Sequence, residues 1–192
     1  GKCAKEYSDV EDRRFHAQPV ACNYCGPHYE LHTANEKIRG IEQILKRIQL
    51  LLGQGEIIAV KGIGGFHLMC DAFNDEAIQL LRKRKIRSQK PFAVMFRDIH
   101  SLSEYVDVTD DERDILTSWR RPIVLLKQHK ELSVLLNPGM NRLGAMLPYM
   151  PFHHLLFPAQ QMGRRLRYCR VQTGQYLLPA AWTNPVCWGS PA

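Results

Sequence analysis

No apolar run in this sequence approaches the roughly 18–20 residues that a membrane-spanning helix needs, so no helical span is expected. The first residues, Gly1-Lys2-Cys3-Ala4-Lys5, lack the apolar core of a signal peptide. They also lack an initiator Met, and the chain is expected to begin inside a longer gene product. No Gly-x-x-x-x-Gly-Lys-Ser/Thr string occurs, which excludes a P-loop. Gly62-x-Gly64-Gly65 misses the spacing of a dinucleotide fingerprint. No RNA-recognition aromatic motif is present. From Pro158 to the end there are four Arg and no acidic residue. That stretch supplies more than half of the net charge of +7 and differs in kind from what precedes it.

What remains is a soluble composition, 45% hydrophobic and 23% charged over 192 residues, enough for one globular domain and an appendage. A basic balance invites nucleic acid as a partner, and anionic small molecules use the same residues.

The most informative stretch is Lys61-Gly62-Ile63-Gly64-Gly65-Phe66-His67-Leu68-Met69-Cys70-Asp71-Ala72. It follows an apolar strand signal, 56–61, and precedes a helix signal, 75–86, that ends in Arg82-Lys83-Arg84-Lys85-Ile86-Arg87. Read this way, a glycine-rich turn joins a strand to a helix. Exposed amides at such a turn host anions, which points to a nucleotide or acyl-phosphate site. The plainer alternative is a turn that needs glycine for its own geometry.

Along the rest of the chain, Ile38, Ile41, Ile44, Leu45, Ile48, Leu51 and Leu52 predict an amphipathic helix over 35–52. Thr33 with Glu36 would form its capping box, and Gly53 and Gly55 its stop. Asn74 or Asp75 caps the helix over 75–86. Further strands are expected at 91–96, 122–126 and 143–147, and short helices near 98–105, 109–118 (Thr109 with Glu112 as capping box) and 151–157. Mixed order of this kind predicts an α/β domain with a twisted sheet over 35–157. Residues 1–30 have no apolar period and need a staple. Residues 158–192 show no amphipathic period and are expected to be an irregular, unpacked tail.

Cys22-Asn23-Tyr24-Cys25, followed by Gly26-Pro27, is a knuckle that can grip Zn²⁺. Cys3 lies in register for a second half-site. The fourth ligand would fall three residues before Cys3, so the visible site is incomplete. His16 and His28 are weak substitutes. A redox role for the pair would want a thioredoxin-like strand before it and a helix after it, and Gly26-Pro27 argues against that. This spacing favours a reducing cytoplasm. Cys70 reads as a buried core residue. His153 and His154 are a poor metal pair, because adjacent helix positions point about 100° apart.

Several long strings resemble one family. Asp9-x-x-Asp12-Arg13-Arg14-Phe15-His16-Ala17-Gln18-Pro19-x-Ala21-Cys22-x-x-Cys25-Gly26-Pro27 resembles the second zinc finger of the hydrogenase-maturation carbamoyltransferases, the HypF family. The likeness continues through Lys61 to Leu68, Cys70-Asp71-Ala72, Arg84-Lys85-x-Arg87-x-x-Lys90-Pro91-Phe92-Ala93-Val94-Met95, Arg121 to Leu126, and Leu147-Pro148-Tyr149-x-Pro151-x-His153-His154-Leu155-Leu156. It covers roughly residues 3–157. The resemblance implies the end of a zinc finger followed by most of a YrdC-like domain. Such a domain adenylates carbamate, derived from carbamoyl phosphate, with Mg²⁺-ATP. A further domain then passes the carbamoyl group to the C-terminal cysteine of a partner protein, and that group becomes the cyanide ligand of [NiFe]-hydrogenase iron.

By the same resemblance, Lys85 and Arg87 are the K-x-R pair of the nucleotide pocket. Lys61 and Lys90 are second-rank candidates for the same phosphates, and His67 is a candidate pocket residue; on spacing alone, His67 reads as a satisfied buried histidine. Fixed cations there stabilise the charge on the α-phosphate and the departing pyrophosphate. The alternative is a solvated basic helix C-terminus favoured by the helix dipole.

The Ser-x-Asn motif that completes such a pocket does not follow. Among the codon strings able to encode Gly174 to Ala180 is one that, one base over, reads Gly-Asn-Ile-Ser-Cys-Gln-Pro. A shifted, non-native frame from about residue 158 is therefore expected, with activity impaired. Two alternative functions use the same basic surface: double-stranded RNA binding, since six of the nine residues from Arg82 to Lys90 are Lys or Arg, and synthesis of threonylcarbamoyl-adenylate for tRNA modification. The finger remnant and Gly-Gly-Phe-His favour the hydrogenase branch.

Overall fold

The computed structural model describes residues 1–17, 26, 28–62, 65–87 and 89–157, and the backbone of 168–172 and 186–190. Cys22 and Cys25 of the knuckle, Ile63 and Gly64 of the glycine stretch, and the region of the shifted Ser-x-Asn string lie outside the described residues.

In chain order the elements are α1 (Lys2–Ser8), β1 (His28–His32), β2 (Lys37–Arg39), α2 (Ile41–Gly53), β3 (Ile58–Gly62), β4 (Gly65–Asp71), α3 (Asp75–Arg84), β5 (Ala93–Met95), α4 (Ile99–Ser103), α5 (Asp110–Thr117), β6 (Val124–Lys127), β7 (Arg142–Met146), α6 (Pro151–Leu156), β8 (Tyr168–Gln172) and β9 (Val186–Ser190). The strands form one mixed sheet in the order β2-β1-β9-β3-β4-β8-β5-β7-β6. β3 with β9 and β5 with β7 are parallel; the other neighbours are antiparallel. The α/β reading holds.

Each face of the sheet carries its own core, as alternation along the strands requires. Ile58 and Val60 of β3 and Met69 of β4 meet Ile44, Ile48, Leu51 and Leu52 of α2 and Phe152 and Leu156 of α6. On the opposite face, Ala59, Phe66, Leu68 and Cys70 meet Ala77, Ile78 and Leu81 of α3, together with Phe92, Val94 and Ala145. Cys70 is fully buried there, as read from the sequence.

Three expectations change. The helix expected over 35–52 starts only at Ile41, behind Gly40 at φ 91°. Thr33 and Glu36 do bond to each other, but across the β1–β2 turn: the Glu36 amide donates to Thr33 Oγ1 at 3.1 Å and the Thr33 amide to the Glu36 carbonyl at 2.9 Å. The same polar pair closes a hairpin as readily as it caps a helix. That hairpin is held by Glu30, which Lys37 (2.8 Å), Arg39 (2.7 Å) and His32 (3.2 Å) surround. Lys37 first, with His32 and Arg39, pulls the Glu30 carboxyl down to about 2.

Second, the glycine stretch joins β3 to β4, not a strand to a helix. Phe66 to Cys70 form a strand buried on both faces, with Lys61 opposite Phe66 and Gly62 opposite Gly65.

Third, the tail is not wholly irregular. β8 lies between β4 and β5, and β9 between β1 and β3. Tyr168, Val171, Val186 and Trp188 give these five-residue pieces strand propensity too short to stand out as a period.

Candidate nucleotide-phosphate site

β4 and β5 run in the same direction, because each is antiparallel to β8. Arg170 is level with Met69 on one side and Ala93 on the other. The β3–β4 hairpin and the segment leading into β5 therefore meet at one end of the sheet. Lys61 comes from the hairpin. Lys85, Arg87 and Lys90 come from the connection between α3 and β5.

The connection starts with a tight helix stop. The Arg87 amide donates to the Arg82 carbonyl at 3.0 Å and the Ile86 amide to the Lys83 carbonyl at 3.2 Å. This is the double bond pattern of a Schellman turn, with Ile86 in the left-handed position where glycine is usual. Ile86 has φ 49° and is 95% exposed, so no packing offsets the strain of a β-branched residue there. The turn sets Lys85 and Arg87 on either side of that reversal.

Lys85 is half-buried; burial, then the Arg87 charge beside it, pushes its ammonium below the ordinary value. Arg87 donates from Nη2 to the Pro91 carbonyl at 2.8 Å and stacks 5.3 Å from the Phe92 ring centre. Its Nε is buried and makes no hydrogen bond among the described residues. A buried unmatched donor on a cation, next to a second cation, is a place where an anion lowers the free energy. Lys90 is exposed. Lys61 is exposed and its Nζ lies 5.3 Å over the Phe66 ring. A cleft of about 600 Å³ follows the outer side of α3 and is lined by Gln79, Leu80, Lys83, Ile86 and Arg87, among others.

His67 does not join this group. It shares the α2/α6 face with Val60 and Met69, is 5% exposed, and lies 3.3 Å from the Tyr149 hydroxyl through Nε2. A Cβ on Gly62 would overlap its imidazole ring. Here the glycine admits a neighbouring side chain, which is what glycine in a strand interior often marks.

Two participants were not singled out from the sequence. Tyr149 stands there only as one member of a family-like string. Arg82, there only one of a cationic run, is buried, and among the described residues it donates four hydrogen bonds, each to a backbone carbonyl. Its signal was legible: Ile78, Leu81 and Arg82 share the apolar stripe of α3.

At the other end of the chain, Cys3 sits half-buried in α1. Among the described residues no three His, Cys, Asp or Glu side chains gather as metal ligands. His16 stacks on Tyr7 at 4.9 Å, and His28 lies 3.6 Å from Glu30, so both substitute ligands are engaged elsewhere. His153 is buried and His154 exposed, as their spacing implied.

The profile of the Sua5, YciO and YrdC proteins, described as "Telomere recombination", matches residues 50–166. The profile described as "HypF finger" matches residues 1–32. The chain belongs to the YrdC-like family, in its HypF branch. The carbamoyltransferase HypF of Rhodobacter capsulatus is 47% identical over 157 residues, covering 82% of this chain and 21% of its own length. That of Rhizobium leguminosarum bv. viciae is 46% identical over 208 residues, covering 88% and 27%. A full-length HypF solved in a phosphate- and nucleotide-bound form superposes with a TM-score of 0.72 at 44% identity, over 88% of this chain and 22% of that one. A Sua5 from P. abyssi, at 12% identity and a TM-score of 0.57 over 68% of this chain and 38% of that one, shares the fold. The chain thus spans about a quarter of the length of the HypF relatives it matches. Among the described residues no helix is long and apolar enough to cross a membrane.

Proposed function

We propose that this chain is the carbamate-activating part of a cytoplasmic carbamoyltransferase of [NiFe]-hydrogenase maturation. Mg²⁺-ATP and carbamate, derived from carbamoyl phosphate, are its substrates. A carbamate oxygen attacks the α-phosphorus of ATP, the bond to the β-phosphate oxygen breaks, and pyrophosphate leaves with the negative charge. Lys85 and Arg87 hold the phosphates, with Lys90 and Lys61 beside them. Carbamoyl-adenylate then passes to another domain of a longer polypeptide, which delivers the group to a partner's C-terminal cysteine. The observation that carries this reading is the crowding of Lys85 against Arg87, whose buried Nε has no acceptor among the described residues. His67, on the opposite face, is proposed as a support for Tyr149, not as a phosphate ligand.

The reading is tested in a polypeptide of the relatives' length. It should cleave ATP to AMP and pyrophosphate only when carbamoyl phosphate is present. Lys85→Ala and Arg87→Ala should each slow that cleavage at least tenfold. Cleavage to ADP, or full activity in both variants, would count against it.

The finger supplies soft donors suited to tetrahedral zinc: the thiols of Cys22 and Cys25 and that of Cys3. We infer a structural zinc held by these three and one ligand from a preceding Cys-x-x segment. Metal analysis should find less than one zinc for this chain and one per chain once that segment is added. Bound zinc that survives Cys22→Ser would refute the ligand set. The shifted frame after about residue 158 stands as a proposal that the flanking DNA decides: a reading frame there that restores Ser-x-Asn supports it.

A further inference from the structure

Arg82 lies on α3 three residues before Lys85, on the stripe of the helix that packs into the core. It is 7% exposed. Its Nε donates to the Leu135 carbonyl at 2.6 Å and its Nη2 to the Leu136 carbonyl at 3.2 Å. Its Nη1 donates to the carbonyls of Arg87 at 2.9 Å and Lys90 at 3.1 Å. The guanidinium centre stacks 4.4 Å from the Phe92 ring centre. One planar group thus ties both ends of the 87–90 segment to the 135–136 segment. The Phe92 amide adds a direct bond to the Leu136 carbonyl at 2.8 Å. With these donors so engaged, Arg82 does not serve as a phosphate ligand itself.

We propose that Arg82 is the positioning residue of the phosphate site: its fork fixes the segment from which Arg87 and Lys90 project. The proposal rests on the nucleotide reading given above. A lysine cannot replace this fork, because one ammonium cannot meet four carbonyls that a planar guanidinium spans. Arg82→Lys keeps the charge and loses the geometry. A purely structural role would lower stability and leave ATP affinity in the folded fraction unchanged. A positioning role lowers that affinity, and does so through Arg87.

The test uses the full chain and four proteins: unsubstituted, Arg82→Lys, Arg87→Ala and the double variant. ATP affinity is read by calorimetry, with inorganic pyrophosphate as a second probe, and amide exchange is followed at Phe92 and at Ile58 of β3. Arg82→Lys should leave Ile58 protected, speed exchange at Phe92, and weaken ATP at least tenfold. Arg87→Ala added to Arg82→Lys should then weaken ATP less than twofold further, the non-additivity expected when one residue acts through the other. Unchanged ATP affinity in Arg82→Lys, or full additivity in the double variant, overturns the proposal.

Should Arg82→Lys not fold, Ser133→Ala is the milder probe. Ser133 Oγ accepts from the Leu135 amide at 3.1 Å and steadies the same carbonyls. It should weaken ATP two- to fivefold, and faster exchange at Leu135 with unchanged affinity overturns the role. If neither the unsubstituted chain nor a polypeptide of the relatives' length binds ATP, the nucleotide reading fails, and the positioning role falls with it. Faster Phe92 exchange in Arg82→Lys would then mark the clamp as structural only.

Discussion

A chain cut after Phe157 is expected to lose its cooperative unfolding transition. β8 pairs with β4 through residues 67–71 and with β5 through residues 93–95. β9 pairs with β1 through residues 28–32 and with β3 through residues 59–60. Without them the sheet falls into three pieces: β2-β1, β3-β4 and β5-β7-β6. Two of these are isolated hairpins, which are marginal in water. Both sides of each gap would expose unpaired backbone groups that the intact sheet satisfies. With about 5–15 kcal/mol separating folded from unfolded in a typical domain, loss of both joints leaves little margin. Circular dichroism during a thermal melt should show a sharp transition for residues 1–192 and a broad or absent one for 1–157. Coincident melting curves would mean that β8 and β9 add nothing.

Replacing Phe92 should damage both the core and the site. Its ring is 1% exposed, in the α3-side core, and the guanidiniums of Arg82 and Arg87 both lie over it, 4.4 and 5.3 Å from its centre. Phe92→Ala should cost about 3–5 kcal/mol of stability, the usual range for a buried phenylalanine. Loss of two cation–π contacts contributes about 0.5–2 kcal/mol each within that total. Because Arg87 loses the surface on which it stacks, ATP affinity should fall even where the variant is fully folded. Phe92→Leu, which keeps most of the volume, should cost about 1–2 kcal/mol and still loosen Arg87. Urea unfolding with the m-value held in common measures the first effect. A Phe92→Ala loss below about 1 kcal/mol would show that the ring does not support the core and the two guanidiniums.

Local chemistry made several elements legible in advance. Asn74 caps α3 by accepting from the Ala77 amide, and Thr109 with Glu112 forms the capping box of α5. The apolar stripe of α2 was visible from Ile44 to Leu52. Its start was not, because Ile38 continues the helical spacing while belonging to β2, and Thr33 with Glu36 serves a turn equally well. The run from Phe66 to Cys70 lacks polar alternation since both of its faces are covered, so period alone did not distinguish strand from helix. At the site, the string from Arg82 to Lys90 reads as one uniform block of positive charge. The fold divides it: Arg82 turns inward to four carbonyls, Arg87 donates to the Pro91 carbonyl while its buried Nε has no acceptor among the described residues, and Lys90 stays in water. Only tertiary pairing reveals that division, because the acceptors at Leu135 and Leu136 lie more than fifty residues away.

The most direct test is a calorimetric titration of Mg²⁺-ATP into this chain and into Lys85→Ala and Arg87→Ala. We expect saturable binding that weakens with added salt, as contacts to phosphate should. Losing one charge-assisted contact typically costs about 1.5–3 kcal/mol, so each variant should bind roughly ten- to a hundredfold more weakly. Its fold should persist, since neither Lys85 nor Arg87 is among the buried residues that make up the two cores. ATP affinity unchanged in both variants would show that the basic segment after α3 is a solvated face, and the nucleotide site would have to be sought elsewhere on the sheet.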